Sequence, residues 1–99
     1  MLILFDLPYT DTATKKFRTF RKQLKLDFVP FVGMVICVPL DNGSLCTAVE
    51  SVCIALDRKR KINVYLEPFE ATDYERECNV LESLGWKCLG EDDLENIDQ

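Results

Sequence analysis

Histidine is absent from this chain of 99 residues, and its absence excludes some metal sites and some catalytic mechanisms. Without an imidazole, zinc sites built from cysteine and histidine are excluded, as is histidine-based general acid–base catalysis. The five cysteines form no C-x-x-C pair, so we expect reduced thiols in a cytoplasmic protein. No apolar run approaches the roughly 18 residues of a membrane span. The start MLILFD carries no basic lead-in, so we expect no targeting peptide.

The composition is that of one small globular domain, with 47% hydrophobic and 29% charged residues. We expect this domain to span residues 1–90. A chain of this size buries only about two-thirds of the surface that its unfolded form exposes, so it is marginally stable alone. A partner or a homodimer is therefore expected.

Charge is divided unevenly along the chain, whose net charge is −5. Residues 1–66 carry ten basic and six acidic side chains, whereas residues 67–99 carry two basic and eleven acidic ones. Five of the acids fall in residues 91–99, which we expect to form an acidic, flexible tail. A solvated tail is preferred over a dedicated partner contact. The whole-chain charge therefore misrepresents the surface of the first two-thirds.

Apolar spacing predicts an alternation of strands and helices. Continuous apolar runs predict strands at Met1–Phe5, within residues 28–40, at Ile62–Leu66 and at Trp86–Leu89. Steps of three and four residues predict three helices, with inward faces formed by Ala13, Phe17, Phe20 and Leu24, by Leu45, Val49, Val52 and Leu56, and by Tyr74, Cys78 and Leu81. A capping box of Thr72 and Glu75 opens the third helix, and Gly85 ends it. The resulting order predicts an α+β fold, a ferredoxin-like βαββαβ sandwich with an extra short C-terminal helix and strand.

Two features of the first elements suggest chemistry. Asp6 follows the first strand, where a carboxylate either binds Mg²⁺ or accepts backbone N–H bonds. The first predicted helix has no acid among its basic residues Lys15, Lys16, Arg18, Arg21, Lys22 and Lys25. Such a helix either pairs with acids elsewhere or contacts phosphates. Tyr65 and Tyr74 could stack on bases, but their spacing favours burial.

Three stretches of the chain resemble the CRISPR-associated protein two family, the small universal subunit of CRISPR adaptation. They are LILFDLP at residues 2–8, KKFRTFRKQL at residues 15–24 and INVYLEPFEATDYERE at residues 62–77. The resemblance implies a cytoplasmic homodimer that bridges copies of the CRISPR integrase subunit and holds spacer duplex DNA, or RNA, through backbone phosphates. It implies that Lys15, Arg18, Arg21, Lys22 and Lys25 contact nucleic acid. It also implies a possible Mg²⁺-dependent endonuclease in which Asp6 is the catalytic metal ligand.

Two other functions stay open from the sequence. The apolar stretch at residues 32–38 replaces polar positions of that family, and the chain is acidic overall. Both features fit a non-catalytic interaction protein, a diverged relative that regulates or inhibits a CRISPR complex. A small-molecule regulatory domain ranks last, because no glycine-rich phosphate loop or other ligand signature is present.

Overall fold

The computed structural model describes residues 2–41, 43–56 and 61–93, without the side chains of residues 90–93. Within these residues the chain forms seven strands and one helix. In chain order they are β1 (Leu2–Asp11), β2 (Lys16–Lys25), β3 (Val35–Leu40), β4 (Gly43–Ile54), β5 (Ile62–Leu66), β6 (Phe69–Glu70), α1 (Tyr74–Ser83) and β7 (Lys87–Asp93).

All seven strands belong to one curled, mixed sheet. The strand order is β3-β4-β5-β1-β2-β7, and β6 continues along β1 beyond the end of β5. β1 runs antiparallel to β2 and parallel to β5. A shift of register between Val49 and Ser51 interrupts the pairing of β4 with β5. Such a bulge bends a strand, which lets β4 pair with β5 at one end and with β3 at the other.

The prediction of an α+β ferredoxin-like βαββαβ sandwich is wrong. The stretches predicted as the first two helices are the strands β2 and β4, and the only helix of the described residues follows six strands. The physical reason is long-range pairing. All ten residues of β2 pair with β1, and such tertiary pairing overrides a local periodicity of three and four.

A tight turn brings β2 back along β1. The Asp11 carboxylate accepts hydrogen bonds from the backbone N–H of Ala13 at 3.2 Å and from the hydroxyl of Thr14 at 2.8 Å. Lys15 completes the turn in the left-handed region, with φ of 56°. An aspartate that bonds to the backbone two residues later is a recognised turn former, so the sequence TDTAT encodes a hairpin rather than the start of a helix.

The central strand β1 supplies one side of the core. Ile3, Phe5, Leu7 and Tyr9 alternate along it and are at most 3% exposed. The strand does not end at Phe5 as predicted but continues through Pro8 to Asp11. β5 pairs with β1 as far as Asp6, and β6 takes over at Tyr9. Pro8 therefore lies in the gap between β5 and β6, where its missing N–H is tolerated.

The predicted third helix is confirmed as α1, with Tyr74, Cys78 and Leu81 buried. Its N-terminus is capped by a different carboxylate from the one predicted. Glu77, rather than Glu75, accepts hydrogen bonds from the backbone N–H groups of Thr72 at 3.0 Å and Asp73 at 2.9 Å.

Desolvation of the Glu77 carboxyl group alone would raise its pKa. The hydrogen bonds from Thr72 and Asp73 outweigh this effect, so the pKa lies below the ordinary value of 4.5. Gly85 ends the helix with a φ of 97°, a conformation that favours glycine.

An aromatic cluster fixes α1 on the sheet. The ring of Tyr9 lies 5.6 Å from that of Phe69, 6.4 Å from that of Tyr74 and 6.3 Å from that of Phe20. The Tyr9 hydroxyl is buried without a hydrogen-bond partner among the described residues. Its burial, together with the neighbouring Glu77 carboxylate, raises the pKa of the phenol. Tyr9 therefore stays neutral and serves packing.

The cysteines do not all remain thiols. A disulfide joins Cys37 of β3 to Cys46 of β4, directly opposite each other in the register of the two strands. The expectation of reduced cysteines therefore fails for this pair. Cys53, Cys78 and Cys88 take no part in a disulfide. Burial raises the pKa of the Cys78 thiol to about 11, which makes it a core residue rather than a nucleophile.

Two charged stretches of the sequence lie partly outside the described residues. These are residues 94–99 of the predicted acidic tail and residues 58–60 of the four consecutive basic residues Arg58–Lys61. Residues 91–93 belong to β7, which pairs with β2. In the described ranges, no helix is long and apolar enough to cross a membrane.

The cap at Glu77 predicts a pH-dependent contribution to stability. Glu77→Ala should lower the free energy of unfolding at neutral pH by about 1 kcal/mol, because two backbone N–H groups lose their acceptor. A lowered pKa means that this stabilisation is present above pH 4.5 and is lost as the pH falls through the folded-state value. Urea unfolding at several pH values measures it. The exposed Glu82 in the last turn is the control, since its removal should cost nothing; equal losses in both variants would refute the cap.

Candidate nucleic-acid interface

The predicted metal ligand Asp6 is held by a side chain that was predicted to bind nucleic acid. The Nε of Arg21 donates to Oδ1 of Asp6 at 2.7 Å, and an Nη donates to Oδ2 at 2.9 Å. The two residues lie directly opposite each other on β1 and β2. The Asp6 side chain is 6% exposed and that of Arg21 is 36% exposed. The hydrogen bonds to Asp6 raise the pKa of the guanidinium further, so its positive charge is held directly against the Asp6 carboxylate.

Within one protomer, these residues do not fit a magnesium site. Both carboxylate oxygens of Asp6 already accept from Arg21. Across the part of the chain that is described, no group of three or more acidic, cysteine or histidine side chains is placed to hold a metal ion. Asp6 as a metal ligand therefore stays a prediction only for a site formed by the Asp6 carboxylates of two copies of the chain, which would require Arg21 to leave Asp6.

The predicted basic residues do not form one ridge, because β2 sends alternate side chains to opposite faces of the sheet. Arg18 and Lys22 point toward the helix-covered face. Arg18 lies 5.3 Å from the ring of Tyr74, and Lys22 lies 6.0 Å from the ring of Trp86. Arg21 and Lys25 point to the other face, and Lys15 lies in the turn before β2.

We call the side of the sheet opposite α1 the open face. The register of the strands places on it Leu2, Leu4, Asp6, Arg21, Gln23, Lys25, Asn63, Tyr65 and Lys87. The Asp6–Arg21 pair lies near its centre, with Lys87 beside Arg21 and Tyr65 beside Asp6. The helix α1 packs on the opposite side, where Tyr74, Cys78 and Leu81 join the core.

The open face carries exposed lysines and an exposed aromatic ring. Lys25 of β2 and Lys87 of β7 are exposed, as is Lys61, which directly precedes β5. These three side chains make no ion pair or hydrogen bond with the described residues. Tyr65 is 39% exposed, so its ring is accessible from solvent. Lysines of this kind provide point charges for phosphates, and an exposed ring provides a stacking surface for an unpaired base.

Sequence reasoning missed Lys87 as a member of this surface, whereas it weighed the basic run Arg58–Lys61 and the ring of Tyr65 as possible nucleic-acid contacts. It favoured burial of Tyr65, which is wrong, while the expected burial of Tyr74 is confirmed. The signal was present in β5, where Ile62, Val64 and Leu66 alternate with polar or aromatic residues. An alternating strand predicts one covered and one open face. Lys87 could not be assigned without the pairing of β7 with β2.

No protein-family model, curated protein or solved structure matches this chain. The resemblance to the CRISPR-associated family therefore stays a prediction, and the assignment of this surface depends on its own geometry.

Removing one partner of the central ion pair should destabilise the fold. Arg21→Ala should lower the free energy of unfolding by about 2 kcal/mol, because it leaves the buried Asp6 carboxylate without its donor. In Asp6→Ala/Arg21→Ala the loss should be smaller than the sum of the two single losses. Urea unfolding measures all three variants, and Lys25→Ala on the same strand is the neutral control. Strictly additive losses would contradict an energetic coupling between Asp6 and Arg21.

Proposed function

We propose that this protein is a non-catalytic nucleic-acid-binding subunit that contacts backbone phosphates with the lysines of its open face. The observation that carries the proposal is the exposure of Lys25 on β2, of Lys87 on β7 and of Lys61 directly before β5, together with the exposed ring of Tyr65 on the open face. None of these lysines is neutralised by a described acid, so each is available to a phosphate.

The local charge of the open face supports this role despite the net charge of −5. Arg21 and Asp6 cancel each other there, and Lys25, Lys61 and Lys87 are exposed without an ion pair to the described residues. Glu50, an exposed acid, lies next to Ser51, which pairs with Tyr65. Glu67, one of the chain's acids, lies further along, beyond the end of β5. Because exposed charges act over about 10 Å in salt solution, a polyanion near these lysines meets a positive surface.

The Asp6–Arg21 pair is the reason for a non-catalytic role. A metal-dependent nuclease needs carboxylate oxygens that are free to bind the ion and orient water. Asp6 instead uses both oxygens to fix Arg21. The pair therefore serves the integrity of the sheet beneath the binding surface, and chemistry on the nucleic acid falls to another protein.

The resemblance of residues 2–8, 15–24 and 62–77 to the CRISPR adaptation family supplies the proposed setting. In that setting a homodimer holds spacer duplex DNA through phosphates and bridges copies of the integrase subunit. The ferredoxin-like fold predicted from the order of elements is not part of this proposal. What supports the proposal is the resemblance of the three stretches together with the lysines of the open face.

Salt-dependent titration with duplex DNA tests the proposal. Affinity should fall linearly on a log–log plot of binding constant against salt. In Lys25→Ala/Lys87→Ala the slope should decrease by about 0.9 for each lost phosphate contact. Arg76→Ala is the matched control, since it removes the same charge from α1, where Arg76 pairs with Asp41 at 3.0 Å. An unchanged affinity and slope in the double variant would refute the proposed surface.

Tyr65 distinguishes single-stranded from duplex binding. Tyr65→Ala should weaken binding of a single strand by about 1–3 kcal/mol, because a stacked base loses its platform. Tyr65→Phe should retain that affinity, and duplex binding should be unaffected by either change. The same titration measures both forms of DNA. Equal effects of the two variants on both forms would show that the ring plays no stacking role.

A partner-binding protein that regulates a CRISPR complex is the second candidate function. The segment that precedes β3, together with the first residue of that strand, exposes four large apolar side chains: Phe28 is 53%, Phe31 63%, Val32 64% and Val35 63% exposed. Contiguous apolar exposure of this kind is typical of protein contact sites. This segment could bind a second copy of the chain or the CRISPR integrase subunit.

Light scattering tests the second candidate. The wild-type chain, alone or mixed with a CRISPR integrase subunit, should show the mass of a complex. Phe31→Ser/Val32→Ser should reduce that mass to the monomer, because two large apolar surfaces are lost from the contact. Leu56→Ser is the control, since Leu56 is 94% exposed outside the segment. A monomeric mass for the wild-type chain under both conditions would refute this function.

A further inference from the structure

An apolar cavity of about 180 Å³ lies on the helix-covered side of the sheet, away from the open face. The curl of the sheet brings the edge strand β3 toward β1, β2 and the end of α1, and the cavity occupies the space between them. Its apolar walls are formed by Phe5, Leu24, Ile36, Val38, Leu84 and Trp86. Neither the ion pair nor the lysines of the proposed nucleic-acid surface line it.

A single charged side chain lines this cavity. Lys22 lies opposite Phe5 on the neighbouring strand, and its Nζ donates to the backbone oxygen of Leu84 at 2.9 Å. The same Nζ lies 6.0 Å from the centre of the Trp86 ring. An ammonium group has three N–H donors, so the bond to Leu84 leaves two donors for a bound group. The carbonyl and the ring hold this cation at the wall of an otherwise apolar space.

We infer that this cavity is a binding site for a small organic carboxylate with an apolar body, of about the size of phenylacetate. An engineered apolar cavity of roughly 150 Å³ accepts benzene, so the volume suits one ring and a short acidic arm. Ligand sites are commonly apolar with a few placed polar groups. One cation suits one carboxylate, whereas a phosphate dianion needs more donors than Lys22 supplies.

The proposal commits to a ligand with both an apolar body and a negative charge. A neutral aromatic molecule would contact the apolar walls but form no ion pair with Lys22. A free phosphate or acetate would form an ion pair with Lys22 but leave most of the cavity empty. The carboxylate should therefore bind more tightly than either, and comparison of the three separates the contributions of the walls and of the cation.

Trp86 is the single tryptophan of the chain, so its emission reports on this cavity alone. Titration of the full chain with phenylacetate should give a saturable change in emission. 2-Phenylethanol, a neutral analogue of similar size, should bind at least about tenfold more weakly, and acetate should give no saturation. Isothermal titration calorimetry measures the same constants without the fluorophore.

Two variants separate the cation from the cavity. Lys22→Met should weaken the binding of phenylacetate by about tenfold and leave the affinity for 2-phenylethanol unchanged, because only the positive charge is lost. Ile36→Phe should abolish binding of both molecules by filling the space; if this variant does not fold, Leu84→Phe at the rim replaces it. The assignment is overturned if phenylacetate does not saturate, if it binds no more tightly than 2-phenylethanol, or if its preference survives Lys22→Met.

Discussion

Strand β1 is paired along both of its edges, with β2 on one side and with β5 and β6 on the other. Each of its side chains can therefore point in only two directions. One row, from Ile3 to Tyr9, is driven into the core by its apolar area. The other row must then carry Asp6, whose charge is acceptable at low exposure only because Arg21 lies opposite. The register of one antiparallel pair thus sets both the core and the centre of the open face.

The same alternation separates residues that are neighbours in the sequence. Arg21 and Lys22 are adjacent along β2, but they serve opposite sides of the sheet. Arg21 supports the open face through Asp6, and Lys22 is held at the wall of the apolar cavity by Leu84 and Trp86. The proposed nucleic-acid surface and the proposed carboxylate site are therefore close in the chain and physically separated by the thickness of the sheet.

The sequence predicted the strand at Ile62–Leu66, the helix with Tyr74, Cys78 and Leu81 inward, and its end at Gly85, because these elements depend on local patterns. It failed for β2 and β4. In β2, Phe20 and Leu24 are four residues apart, a spacing that fits a helix and also one face of a strand. Only the pairing with β1 decides between them, and this pairing is not visible locally.

In the candidate site, too, local features could be predicted from the sequence and long-range contacts could not. Asp6 was predicted to follow the first strand, but it lies within β1 and pairs with Arg21. This partner could not be found while the basic segment was predicted as a helix. The grouping of Lys25, Lys61 and Lys87 likewise depends on strands that are distant in sequence. By contrast, the exposure of Tyr65 could have been inferred from the alternation along β5.

At its β3 end the sheet stops with a strand that contains Pro39. A terminal strand normally offers a row of N–H and C=O groups on which further chains can add. Proline has no N–H, so a neighbouring chain cannot continue an unbroken ladder past this position. The edge of β3, the strand that also contributes an apolar wall to the cavity, is therefore a poor template for fibril growth.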